Sequence, residues 1–122
     1  MAVTSQVLTG LVAALHVYFL VLEMFLWTTA TGRRVFGRTA EEQEATKVLA
    51  ANQGLYNGFL AAGLVWSLVD SDAIALPMRT FFLGCVVVAG IYGGMTASRR
   101  ILLVQAVPAA AALAVTLALR SI

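Results

Sequence analysis

Charge is scarce in this chain. Eight Lys and Arg and six Asp and Glu make up only 11% of 122 residues, while 61% are hydrophobic and the mean hydropathy is +0.90. Soluble domains carry roughly 25% charged residues, so an ordinary water-soluble fold is excluded and a membrane protein is indicated. Cysteine is almost absent as well. Cys85 stands alone, which excludes an intrachain disulfide, paired-thiol redox chemistry and a multi-thiolate metal centre. With a single histidine, His16, no His-x-x-x-His pair and no Gly-rich phosphate loop ending in Lys, the usual zinc sets and nucleotide-phosphate chemistry are missing too. A lone intramembrane carboxylate, Glu23, is a poor basis for a divalent-cation site. No metal and no cofactor are expected. The net charge of +2 and the pI of about 9.1 reflect basic loops and give no support for nucleic-acid binding.

What the chain has instead is long apolar runs. Val3 to Trp27, Ala45 to Val69, Pro77 to Thr96 and Arg99 to Leu119 each approach the ~20 residues a helix needs to cross ~30 Å of hydrocarbon. They are continuous rather than alternating, so helices and not barrel strands satisfy their backbones in lipid. The expected fold is all-α: one transmembrane domain over residues 1–122, a four-helix bundle with short connections and helices near 3–27, 40–69, 77–96 and 98–119. The first run has no Lys or Arg ahead of it and exceeds a signal peptide's ~7 to 15 apolar residues, so it reads as a retained span.

Basic residues orient the bundle, because short loops rich in Lys and Arg stay in the cytoplasm. Arg33, Arg34, Arg38 and Lys47 flank the first connection and Arg99 and Arg100 the third, against Arg79 and Arg120 on the other side. Both termini and the Asp70 to Leu76 connection are therefore expected outside, in a multi-pass protein of the cell (inner) membrane. Thr39 and Glu42 have capping-box spacing, which starts the second spanning helix near Ala40. GRRVFGR before it reads as a turn at anionic headgroups. Ser98 caps the last helix, and Pro108 frees the carbonyl of Val104 to give a kink beside Gln105. The rows Gly54/Gly58 and Gly90/Gly94 allow close helix approach, within the bundle or in a homo-oligomer.

Two ionisable groups interrupt the first run. Thr9, His16 and Glu23 recur at seven-residue intervals, nearly two helical turns, and so share one stripe, which Trp27 extends. His16 and Glu23 stand ~10 Å apart along the axis, so each needs a partner from elsewhere. On the second long helix, Asn52, Gln53, Tyr56 and Asn57 fill one arc and Gly54 and Gly58 the next. In an antiparallel hairpin, equal depth pairs Glu23 with Asn52 and His16 with Asn57. An ionised carboxylate at this depth costs at least ~2.5 kcal/mol, so Glu23 is expected either protonated or hydrogen-bonded in a wet cavity. Tyr92 and Gln105, with Tyr18, are further candidates for the lining.

The segments HVYFLVLEMFLW and ATKVLAANQGLYNGFLAAGLVW resemble the small bacterial integral membrane proteins grouped under a domain-of-unknown-function label, number thirteen hundred and four. The matching positions are His16, Glu23, Met24, Trp27, Asn52, Gln53, Gly54, Tyr56, Asn57 and Gly58. The resemblance implies a four-helix membrane protein and implies no activity. The functional expectation comes from the residues. Glu23 and His16 form an acid/base pair, and Asn52, Gln53, Tyr56, Asn57, Trp27, Tyr92 and Gln105 line a pocket for a small lipophilic molecule. Membrane lipid is the expected surrounding partner. The alternatives are a proton-coupled small-molecule transporter and a structural or accessory subunit.

Overall fold

The computed structural model describes residues 1–122 and is helical throughout. Five helices follow in order: α1 Ala2–Met24, α2 Ala30–Phe36, α3 Ala40–Val69, α4 Ala75–Thr96 and α5 Arg99–Arg120. α1, α4 and α5 are long and apolar enough to cross a membrane. α3 is longer still at 30 residues but does not join them on composition. Its first turns carry Glu41, Glu42, Glu44 and Lys47, and its middle carries Asn52, Gln53 and Asn57.

The helix ends follow local chemistry. At the start of α3 the capping box is reciprocal: Glu42 N–H donates to Thr39 Oγ1 at 3.1 Å and Thr39 N–H donates to Glu42 Oε1 at 3.3 Å. At α5 the N–H of Arg100 donates to the Ser98 hydroxyl. GRRVFGR is not a turn but most of a short helix, α2. Thr29 caps its N-terminus, and Gly37, at φ 66°, ends it in the left-handed conformation that glycine adopts without strain. α1 stops at Met24 rather than Trp27, because the N–H groups of Phe25 and Leu26 both return to the carbonyl of Val21 and close the helix there. α4 begins two residues before Pro77, which sits in the first turn where its missing N–H has no acceptor to lose. The irregularity before Pro108 is a π-helical stretch, Leu102–Ala106, that contains Gln105.

The chain forms two compact units. One comprises Met1–Ala14 and Leu60–Ile122, the other Leu15–Phe59. In the first, Val12, Ala13, Leu64, Leu83, Val86, Ala109 and Ala112 make the core, with Leu60, Phe82 and Leu113 against it. Small residues bring its helices together. A Cβ on Gly90 would lie 2.6 Å from the Ala106 nitrogen, and one on Gly94 would lie 2.7 Å from the Leu102 Cβ. In the second unit α1 meets α3 along glycines: a Cβ on Gly54 would lie 2.7 Å from Met24 Cγ and 3.1 Å from Glu23 Cβ, and one on Gly58 would lie 2.6 Å from Leu20 Cδ1. Both glycine rows are thus occupied by contacts within the chain.

Burial along α1 is inverted relative to a soluble protein. Ser5, Thr9, His16 and Glu23 are buried, whereas Val3, Val7 and Leu11, one turn apart on a single stripe, are exposed. α3 and α4 likewise turn Val48, Phe59, Val65, Phe81 and Val88 outward. Polar groups inside and continuous apolar faces outside are what hydrocarbon surroundings select. This is a membrane protein.

Candidate functional site

The second unit gathers polar residues of α1 and α3 around Glu23. It occupies the last turn of α1 and is 3% exposed. Asn57 donates from Nδ2 to Oε1 at 2.5 Å and Gln53 donates from Nε2 to Oε2 at 2.6 Å, so each carboxyl oxygen receives one amide N–H from α3. Gln53 and Asn57 are four residues apart, one turn, which is why both reach the same carboxyl group. A carboxylate offers roughly four acceptor positions. Two are taken, and the rest suit a hydroxyl or amine donor.

The pairing differs from the equal-depth expectation. Asn52 is exposed and does not meet Glu23, and Asn57 serves Glu23 rather than His16. The glycines explain the shift. Because α3 approaches α1 along Gly54 and Gly58, its polar arc is rotated. The Gln53/Asn57 edge faces Glu23 while Asn52 and Tyr56, the latter 63% exposed, turn away. His16 is fully buried, its ring edge-to-face with Phe19 at 5.7 Å.

Trp27 lies in the turn after α1, half-buried, and holds that turn to the neighbouring helices. Its ring packs on Phe36 of α2 at 4.6 Å, its Nε1 donates to Thr46 Oγ1 at 3.1 Å, and its carbonyl accepts from Gln43 Nε2 at 2.7 Å. Gly32 of α2 fits against the carbonyls of Leu26 and Trp27, where a Cβ would come within 2.2 Å of an oxygen. Gln43 and Thr46 were not among the expected site residues. Gln43 is fully buried although it sits in a run of glutamates that reads as a solvated face, and its Oε1 has no hydrogen-bond partner. Its one sequence signal is that it is the uncharged member of Glu41 to Glu44. Tyr92 and Gln105 belong to the first unit, where Tyr92 is 70% exposed and Gln105 half-buried.

Residues 10–117 match a family described as "Protein of unknown function (DUF1304)". The chain belongs to this family. The matched range takes in every residue of the Glu23 cluster. The chain is also similar to "Uncharacterized protein YpaA" of Lactococcus lactis subsp. lactis (strain IL1403), at 35% identity over 107 residues, covering 86% of this chain and 89% of that protein. No solved structure matches it. Family membership thus brings no activity with it.

Proposed function

We propose that the Glu23 cluster binds a small lipophilic molecule with a polar head and does acid/base work on that head. The observation that supports this most is the pair of amide donors fixed on a carboxyl group that the protein otherwise encloses. They orient Glu23 and leave it acceptor positions for a hydroxyl or amine. His16, nearly two turns away on the same stripe of α1, is the second proton carrier. Trp27 contributes apolar surface, and Asn52 and Tyr56 flank the cluster on α3.

The architecture that goes with it has α3 as a fourth span, in a four-helix bundle of the cell membrane with both termini outside. Its support is the six-to-two division of basic residues between the two sides. A homo-oligomer through the Gly54/Gly58 or Gly90/Gly94 row belongs to the same reading, and there it would share the row with the contacts made within the chain.

The test is native mass spectrometry and solvent extraction of protein purified gently from its own membrane. Wild type should carry a lipophilic compound, and Glu23→Gln should retain about tenfold less, the size of one hydrogen bond to a charged group. His16→Ala should keep binding but block turnover of the bound compound. Equal retention and equal turnover in folded wild type, Glu23→Gln and His16→Ala would remove the basis for this reading.

A further inference from the structure

The first unit encloses a guanidinium. Arg79, which the charge pattern assigns to the outer side, is 4% exposed. Ser67 takes its inner edge, with Nε 3.4 Å from the Ser67 hydroxyl and Nη2 2.9 Å from the Ser67 carbonyl, and Nη1 donates to Ser5 Oγ at 2.9 Å. All these acceptors are neutral. The two ion pairs of the protein, Arg38 with Glu42 and Lys47 with Glu44, both lie around the first turns of α3 and do not involve Arg79.

The hydroxyl protons are also accounted for. Ser67 donates to the carbonyl of Leu64 and Thr116 to that of Ala112, so Ser5 donates to Thr116 across 2.7 Å. Each hydroxyl therefore presents lone pairs to its donor and sends its proton away. Of the five N–H groups of an arginine, three are used here, leaving one on each terminal nitrogen. One turn from Ser5 on the same stripe, the buried Thr9 hydroxyl has no partner. The cluster thus holds a full positive charge and surplus donors, with no negative group of its own. A clamp between helices needs only the hydrogen bonds. The charge calls for an anion.

Depth indicates which anion. Arg79 is four residues into α4, about 6 Å along its axis. Ser5 and Ser67 lie within one turn of helix ends at Ala2 and Val69, and Thr116 is four residues from Arg120. That is the depth at which hydrocarbon gives way to headgroups, a zone ~5 to 7 Å thick on each side. We infer that Arg79, fixed by Ser5, Ser67 and Thr116, is a binding site for a phosphate oxyanion, supplied by the headgroup of an anionic phospholipid.

The probes are phosphatidylglycerol, phosphatidylcholine and inorganic phosphate, with full-length protein in neutral micelles. Native mass spectrometry should show phosphatidylglycerol retained about tenfold over phosphatidylcholine by wild type, the size of one hydrogen bond to a charged group. Arg120→Gln, the other basic residue at that end, should retain it equally, and folded Arg79→Gln should lose the preference. Where Arg79→Gln does not fold, Arg79→Lys keeps the charge without the planar fork and should bind several-fold more weakly. A rise in melting temperature with inorganic phosphate alone, dependent on Arg79, would keep the site and assign it to a free anion. Equal retention of the two lipids by wild type with no phosphate effect, or undiminished preference in the Arg79 variants, would overturn the inference.

Discussion

At the scale of single residues, the Glu23 carboxyl group is held by two amides of unequal burial. Asn57 is enclosed, so its loss cannot be made good by water, whereas Gln53 reaches in from an exposed position. Asn57→Leu should therefore destabilise the protein by about 1–3 kcal/mol, the cost of leaving a buried acceptor without its donor. Asn52→Ala should stay within about 0.5 kcal/mol. Unfolding midpoints of the two variants in one detergent measure the difference, and equal effects would return Asn52 to the site. That an amide would meet Glu23 could be read from depth alone. Which amide could not, because rotation about the α3 axis is set by the contact of Gly54 with Glu23 and Met24, a tertiary fact. Gln43 was hidden for a similar reason: its burial comes from the turn at Trp27 folding back over α3.

At the scale of elements, end signals were readable where they rest on neighbouring residues. Thr39 with Glu42 and Ser98 with Arg100 are local, and the structure forms both. α2 was missed because Gly32 and Gly37 read as turn formers. In fact Gly32 is there to let the helix lie against two carbonyls, and Gly37 to end it. The cap carries a pH dependence. Thr39, chiefly through its backbone N–H, holds the Glu42 carboxylate below the ordinary range. A folded-state value below the unfolded one stabilises the helix start fully above roughly pH 4.3, and this is lost as pH falls through the folded value. A carbon-13 titration of the Glu42 side chain should find it below the ordinary glutamate range, and Thr39→Ala should move it up. Glycines test the packing of α4. Gly90→Ala puts a methyl 2.6 Å from the Ala106 backbone nitrogen and should cost about 1–3 kcal/mol, while Gly84→Ala, with open space around it, should be neutral or slightly stabilising. Equal melting temperatures for the two would contradict the packing described.

For the whole molecule, apolar outer faces around buried serine, threonine, histidine, glutamate and arginine place the chain in hydrocarbon. Composition alone made that plain. Composition also counts α3 as a fourth span, but its polar middle keeps it apart from the three strongly apolar helices. A fourth span returns the C-terminus to the side of the N-terminus, and three spans leave them apart. Reporters fused in turn to each end should therefore give the same sidedness, and opposite sidedness would remove α3 from the membrane. The most direct measurement joins both questions. The chain has two asparagines, Asn52 and Asn57, and Glu23 is the glutamate that touches either. Protein labelled with carbon-13 at glutamate carboxyls and nitrogen-15 at asparagine side chains, placed in a lipid bilayer, should show one dipolar contact by solid-state NMR. That contact should disappear in Asn57→Ser and persist in Asn52→Ser. Absence of the contact in the bilayer, or its survival without Asn57, would contradict an inward-facing Glu23 held by α3.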